Sequence, residues 1–354
     1  MNCIFTITFL VFKVKFFSFY FGKNFSFGLF SCKIFIRSMR MSVVFLIIGF
    51  IVIVKASDIL VDAASSLAMR FGVPKMLIAL TIVAFGTCAP EVAISFQSVA
   101  VGNSEMAFAN VIGSCIVNVF LILGIASFLR PIKVKHITIK KELSILFLVT
   151  TCFSVLMLDS MFNPMTSDTF SRSDGFILIL VFFIFVLYLV NIIIHRNQQV
   201  KEEEIKYPLV LSLLLIVVSI LLIIYSSDLI VNSATDLARA LHISDKVITM
   251  FAVVIGTSLP EMVMTVTSAK KGEFDMALGN IIGTNIFNIC IVLGLPIVIY
   301  GDMALIGFGF IDIFVLFLSS FLLFWFARSE RTINRREAVV MLGIFIFYYI
   351  YLII

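Results

Sequence analysis

Two carboxylates stand where a membrane-spanning chain tolerates them least: Glu91 inside the apolar run 75–99 and Glu261 inside the apolar run 246–269. Each closes the same six-residue pattern, Gly-Thr-Cys-Ala-Pro-Glu at 86–91 and Gly-Thr-Ser-Leu-Pro-Glu at 256–261. An acidic residue near the centre of a membrane helix costs roughly 3 kcal/mol or more, so an ionised group there needs a cation or a proton as partner. Pro90 and Pro260 lack an N–H, so the carbonyls four residues earlier, on Gly86 and Gly256, are expected to lose their helical donor. Glycine permits the local unwinding. Carbonyls freed in lipid must be satisfied internally or line a cavity, and a hard cation suits them.

The oxygens available match one divalent ion. Calcium takes six to eight oxygen ligands from carboxylates, amides, carbonyls and water, whereas magnesium holds to strict octahedral geometry and dehydrates reluctantly. Glu91 and Glu261 supply two negative charges, Asn118 and Asn288 neutral amide oxygens, and the Gly-Thr segments backbone carbonyls. The same oxygens suit sodium, and exchange follows if the two ion sets cannot occupy the site together. Each Asn ends a run opened by small residues, Gly113 to Asn118 and Gly283 to Asn288. Gly113 and Gly283 allow close helix approach, and Ser114 and Thr284 fall four residues before the Asn, on its helix face. Interhelical hydrogen bonding is the alternative role for those two hydroxyls.

The elements that position these residues are helices in a bilayer. The 354 residues are 61% hydrophobic and 13% charged, with a mean hydropathy of +1.16, outside the range of soluble domains. Apolar runs long enough to span are read near 43–66, 75–99, 106–129, 143–158, 175–194, 208–234, 246–269, 276–299, 306–326 and 338–354. The expected fold is therefore an all-α integral membrane protein of ten core transmembrane helices. Residues 57–125 align without a gap on 227–295, at a constant offset of 170, with polar and Gly/Pro coincidences that include Ser57/Ser227, Asp58/Asp228, Gly102/Gly272, Asn110/Asn280 and Gly124/Gly294. Five spans per copy reverse the second copy in the membrane, giving two inverted five-helix repeats, a transporter pattern with substrate bound near the midplane. The expected division is an N-terminal extension at 1–41, a first repeat at 42–195, a cytoplasmic linker at 196–207 and a second repeat at 208–354.

Loop charge sets the orientation. With the first core helix starting outside, inner loops hold Arg70, Lys75, Arg130, Lys133, Lys135, Lys140, Lys141, Arg196, Lys201, Lys206, Lys270, Lys271, Arg328, Arg331, Arg335 and Arg336, and outer loops hold Arg172, Arg239 and Lys246. That split places the core termini outside the cell's inner (plasma) membrane. It also accounts for the net charge of +5 without a nucleic-acid partner; the lipid bilayer is the only partner implied besides the ions. The extension carries Lys13, Lys15, Lys23, Lys33, Arg37 and Arg40 on the side the rule leaves poor in cations. Of three readings, a targeting helix, a basic arm, or sequence upstream of a start at Met39 or Met41, we take the last. The six cysteines form no CxxC pair, so neither a disulfide framework nor a zinc site is suggested.

The two segments resemble the alpha repeats of the calcium/cation antiporter superfamily, and its bacterial and archaeal sodium/calcium exchanger branch most of all. The resemblance covers residues 42–354. It implies calcium held by Glu91, Glu261 and the carbonyls of Thr87 and Thr257, sodium sites completed by Ser258, Ser114 and Thr284, and no cofactor beyond the transported calcium and sodium ions. One departure bears on the driving ion: Cys88 stands where the second copy has Ser258, and sulfur is a poor ligand for hard cations. Asn118 and Asn288 are amides, which confines any proton coupling to the glutamates. The chain therefore reads as a calcium/cation antiporter driven by sodium, with proton- or potassium-linked exchange and a cation channel as rivals. It does not read as an enzyme, since no nucleophile with a base and no His-rich metal motif accompanies either Glu.

Overall fold

The computed structural model describes residues 25–158, 169–194, 206–240, 256–304 and 309–353. The described residues are almost wholly helical, as a lipid-embedded backbone requires. Helix α1 runs over Phe25–Phe71, α2 over Lys75–Thr87 and α3 over Ala89–Ala100, and α4 over Glu105–Leu129. The short α5 (His136–Lys140) precedes α6 (Glu142–Leu156) and α7 (Arg172–Ile194). The second half holds α8 (Leu209–Ala240), α9 (Leu259–Lys271), α10 (Phe274–Tyr300), α11 (Phe310–Glu330) and α12 (Arg335–Ile353).

Six of these helices are long and apolar enough to cross a membrane, and the bent pair α2–α3 makes up to seven. The chain is a multi-pass membrane protein. Where described, the helices fall close to the expected apolar runs, with two differences. The helix expected from residue 43 starts at Phe25 and passes Met39 and Met41 without a break. The expected span 75–99 is two helices meeting at 51°. Of the span 246–269, residues 246–255 lie outside the described residues, as do 1–24 of the extension and 196–205 of the linker.

Packing is reciprocal between the halves. The two first helices, α1 and α8, lie along each other; α3 packs on α10 and α9 on α4; α12 packs on α4 and α7 on α10; α6 meets α11. Exchanging the two copies reproduces this set of neighbours. Helices α4 and α10 are the most enclosed, 78% buried, whereas α1 and α8 are 28% buried over their apolar windows and turn Ile51, Val210 and Leu214 outward. Apolar exposure of that kind is what contact with lipid tails allows.

Two small ribbons tie the copies together. Strand β1 (Ile132–Lys133), after α4, pairs antiparallel with β4 (Thr332–Ile333), between α11 and α12. Strand β2 (Thr169–Phe170), before α7, pairs with β3 (Met303–Ala304), after α10. Each ribbon thus joins a loop of one copy to a loop of the other. On the β1–β4 side, Arg130 donates to the Lys270 carbonyl, Arg335 to the Phe128 carbonyl, and Lys75 pairs with Glu273 at 2.8 Å. Lys271 bridges α9 to Asp62 of α1 at 2.7 Å and lies 3.6 Å from Asp58, so Asp58 sits at a polar interface. Asp62 also receives Lys206, and that hydrogen bond holds the Lys206 ammonium above its ordinary range.

Gly102 and Gly272, equivalent in the two copies, end α3 and α9 with φ of 72° and 83°. Only glycine adopts this left-handed cap freely, and it lets Asn103 and Glu273 N–H groups return to the carbonyls of Ser98 and Ser268.

Candidate functional site

Both Gly-Thr-x-x-Pro-Glu segments break their helix at the same place. Cys88, at φ −73° and ψ 3°, separates α2 from α3, and Ser258, at φ −85° and ψ 5°, precedes α9. Pro90 and Pro260 then fall in the first two positions of a new helix, where a missing N–H costs nothing. At the expected helix-break residues Gly86, Pro90, Gly256 and Pro260, the structure has a restart just after Cys88 and Ser258. The consequence is electrostatic: Glu91 and Glu261 sit in the first turn of α3 and α9, at the positive end of the helix dipole, which favours negative charge.

The Gly256 carbonyl, expected to lose its helical donor, accepts from the Ser227 hydroxyl of α8 at 3.0 Å. Gly86 and Gly256 serve close packing. A Cβ at Gly86 would lie 2.5 Å from Ile220 Cδ1, and one at Gly256 2.6 Å from Val231 Cγ2, both on α8. Gly283 lets α10 approach the α2 backbone, as expected, with Leu80 O 2.7 Å from where its Cβ would stand.

Glu91, Glu261, Thr87, Ser114, Thr284, Ser258, Asn118 and Asn288 are all fully buried, at 0% exposure; Thr257 is half-buried. The copies interleave. Thr257 faces Glu91, Thr87 and Cys88 face Glu261, Cys88 neighbours Thr284, and the two carboxylates are close enough to repel each other. The Thr87 hydroxyl itself donates back to the Val83 and Ala84 carbonyls at 3.2 Å. Among the described residues no hydrogen bond of ordinary distance and angle reaches either oxygen of Glu91 or Glu261, the hydroxyls of Ser114, Ser258 and Thr284, Oδ1 of Asn118, or either amide atom of Asn288. Buried polar atoms in proteins are nearly always partnered, and buried unpaired carboxylates are costly. A concentration of unpartnered oxygens around two carboxylates is chemistry suited to a bound hard cation.

Three features of the site escape the sequence reading. Asn110 donates to the Glu91 carbonyl and the Ser95 hydroxyl, both at 3.0 Å. Asn280 repeats this toward Glu261 at 3.4 Å and Thr265 at 3.0 Å. These amides clamp each glutamate helix to the next, and their signal was present in the Asn110/Asn280 coincidence. Asn285 hydrogen-bonds Asn118 at 2.9 Å, with no signal in sequence. Finally, α4 and α10 widen into π-helix over Val117–Leu123 and Asn288–Leu293, next to the two asparagines, a distortion common at functional positions.

Known proteins match most of the chain. The family model described as sodium/calcium exchanger protein matches residues 41–191 and 211–354. The inner membrane protein YrbG of Escherichia coli strain K12 is 34% identical over 270 residues, covering 74% of this chain and 81% of YrbG. The putative antiporter CaxA of Alkalimonas amylolytica is 32% identical over 327 residues, covering 88% and 98%. Among solved structures, the sodium-calcium exchanger NCX_Mj superposes with a TM-score of 0.75 at 29% identity, over 87% of this chain and 97% of that one.

Proposed function

The chain belongs to the sodium/calcium exchanger family, a family of transporters and not of enzymes, and from that premise we propose that it exchanges calcium for sodium by alternating access at one midplane site. The observation that carries the reading is the pair of buried carboxylates, Glu91 and Glu261, each at a helix restart and each faced by the hydroxyls of the opposite copy. Calcium takes both carboxylates, with oxygens from Thr87, Thr257, Asn118 and Asn288. Sodium ions take the flanking oxygens of Ser258, Ser114 and Thr284, sharing the glutamates, so that each ion set displaces the other.

The architecture proposed is ten core helices in two inverted repeats. Reciprocal packing and the two inter-copy ribbons support it, because each ribbon requires loops from different copies to meet on one side. The ion-paired β1–β4 side, rich in Lys and Arg, is proposed to face the cytoplasm, which puts the core termini outside. Breaking the transport helices at Cys88 and Ser258 gives the site hinges on both copies.

The test is flux in sodium-loaded proteoliposomes. Calcium uptake should follow an outward sodium gradient and collapse when the gradient is dissipated. Uptake that ignores sodium but follows a pH or potassium gradient would replace the driving ion, and uptake that ignores every counter-ion would mark a channel.

A further inference from the structure

Position 115 of the first copy touches its own counterpart, position 285 of the second. The Cys115 thiol lies 3.9 Å from the Asn285 carbonyl oxygen, and Asn285 Nδ2 donates to the Cys115 carbonyl at 3.3 Å. Residues that meet their own equivalents lie on the axis relating the copies. The copies differ there, cysteine against asparagine, and the difference has a consequence for the ion site.

Donor and acceptor identities dictate the rest. A carbonyl only accepts, so the end of Asn285 that faces Cys115 must be its NH2 group. Its Oδ1 then faces Asn118, whose Nδ2 donates to it at 2.9 Å. That bond turns the amide nitrogen of Asn118 toward Asn285 and leaves Oδ1, buried and without a hydrogen bond among the described residues, as its other end. The π segment carrying Asn118 packs against α9, the helix of Glu261. Asn288 is treated differently. The residue placed to orient it is Cys115, which has no amide, and both Asn288 amide atoms are without a hydrogen bond.

We propose that Asn285 is a positioning residue that commits Asn118 to present its carboxamide oxygen to the transported cation, while Cys115 leaves the Asn288 amide free to turn. One half of the site is thereby set in advance and the other adapts as ions of different size and number exchange. The inference rests on the ion-site reading above.

The test compares Asn285→Ala, Cys115→Asn and the double variant Asn285→Ala/Cys115→Asn in proteoliposomes, with Glu91→Gln as control. Asn285→Ala should raise the calcium KM about fivefold, the worth of one oriented hydrogen bond, with the maximal rate nearly unchanged. The double variant mirrors the network, since Asn at 115 can now orient Asn288, and should restore the KM. In the unmodified chain Asn118→Ala should raise KM more than Asn288→Ala; in the double variant that order should reverse. An unchanged KM in Asn285→Ala, or equal costs for Asn118→Ala and Asn288→Ala in the unmodified chain, overturns the proposal. The latter comparison decides the matter even if Asn285→Ala fails to fold. Loss of flux in Glu91→Gln alongside an unchanged Asn285→Ala refutes the positioning role alone, whereas flux retained in Glu91→Gln overturns both readings.

Discussion

Replacing Gly283 by Ala tests the geometry of the site at its least yielding contact. The added Cβ would stand 2.7 Å from Leu80 O, 2.9 Å from Leu80 Cα and 2.9 Å from Ala84 Cβ. Two of those three atoms are backbone, so no rotamer change relieves them. Ordinary contact begins at 3.4 Å, and α10 must therefore move from α2 by about 0.7 Å. Overpacking of this kind costs about 1–3 kcal/mol, against which Ala gains about 0.5–1 kcal/mol over Gly in a helix interior. The net expectation is destabilisation by up to about 2.5 kcal/mol. Because Thr284 follows directly and α2 ends at Thr87, the shift should also raise the calcium KM. Gly343→Ala is the control, since a Cβ there meets nothing within 4 Å, and the same propensity term should stabilise it slightly. Unfolding midpoints in detergent and calcium flux in vesicles read both. Gly283→Ala matching Gly343→Ala in both measurements would refute the close-approach account.

Other expectations are equally concrete. Asn110→Ala removes two bonds of 3.0 Å, whereas Asn280→Ala removes one of 3.0 Å and one of 3.4 Å. At about 1 kcal/mol per bond, Asn110→Ala should lower the unfolding midpoint more, and the reverse order would count against the clamp. Cys88→Ser places a hydroxyl opposite Ser258 and should lower the sodium concentration for half-maximal exchange several-fold; an unchanged sodium dependence would remove residue 88 from the sodium site. Lys271→Gln breaks the pairs with Asp62 and Asp58, which are partly exposed, so stability should change by under about 1 kcal/mol, as read by the unfolding midpoint.

Much of the site was legible because its residues recur at a fixed offset. Glu91 and Glu261 stand out by the cost of charge in lipid, and Pro90 and Pro260 mark where the helix cannot continue unchanged. Their local geometry was less legible: each proline announces a break but not that it stands at the second position of a new helix, and Cys88 and Ser258 carry no sign that they are the hinge. The Ser227 bond to Gly256 and the Asn285 bond to Asn118 join residues far apart in sequence, and no local preference announces either. The two-residue ribbons at Ile132–Lys133 and Thr332–Ile333 are too short for any periodicity to reveal. The long first helix shows a related limit: the cations that divide residues 25–41 from the core interrupt hydrophobicity without interrupting a helix.

The central claim is that one cation is held jointly by a glutamate from each copy. It is tested most directly by uptake of radiolabelled calcium into sodium-loaded proteoliposomes carrying the unmodified chain, Glu91→Gln or Glu261→Gln. Each substitution keeps the side-chain shape and removes one of the two charges, so each alone should abolish sodium-driven uptake while the purified protein keeps its unfolding midpoint. Undiminished uptake in either variant would contradict a shared site.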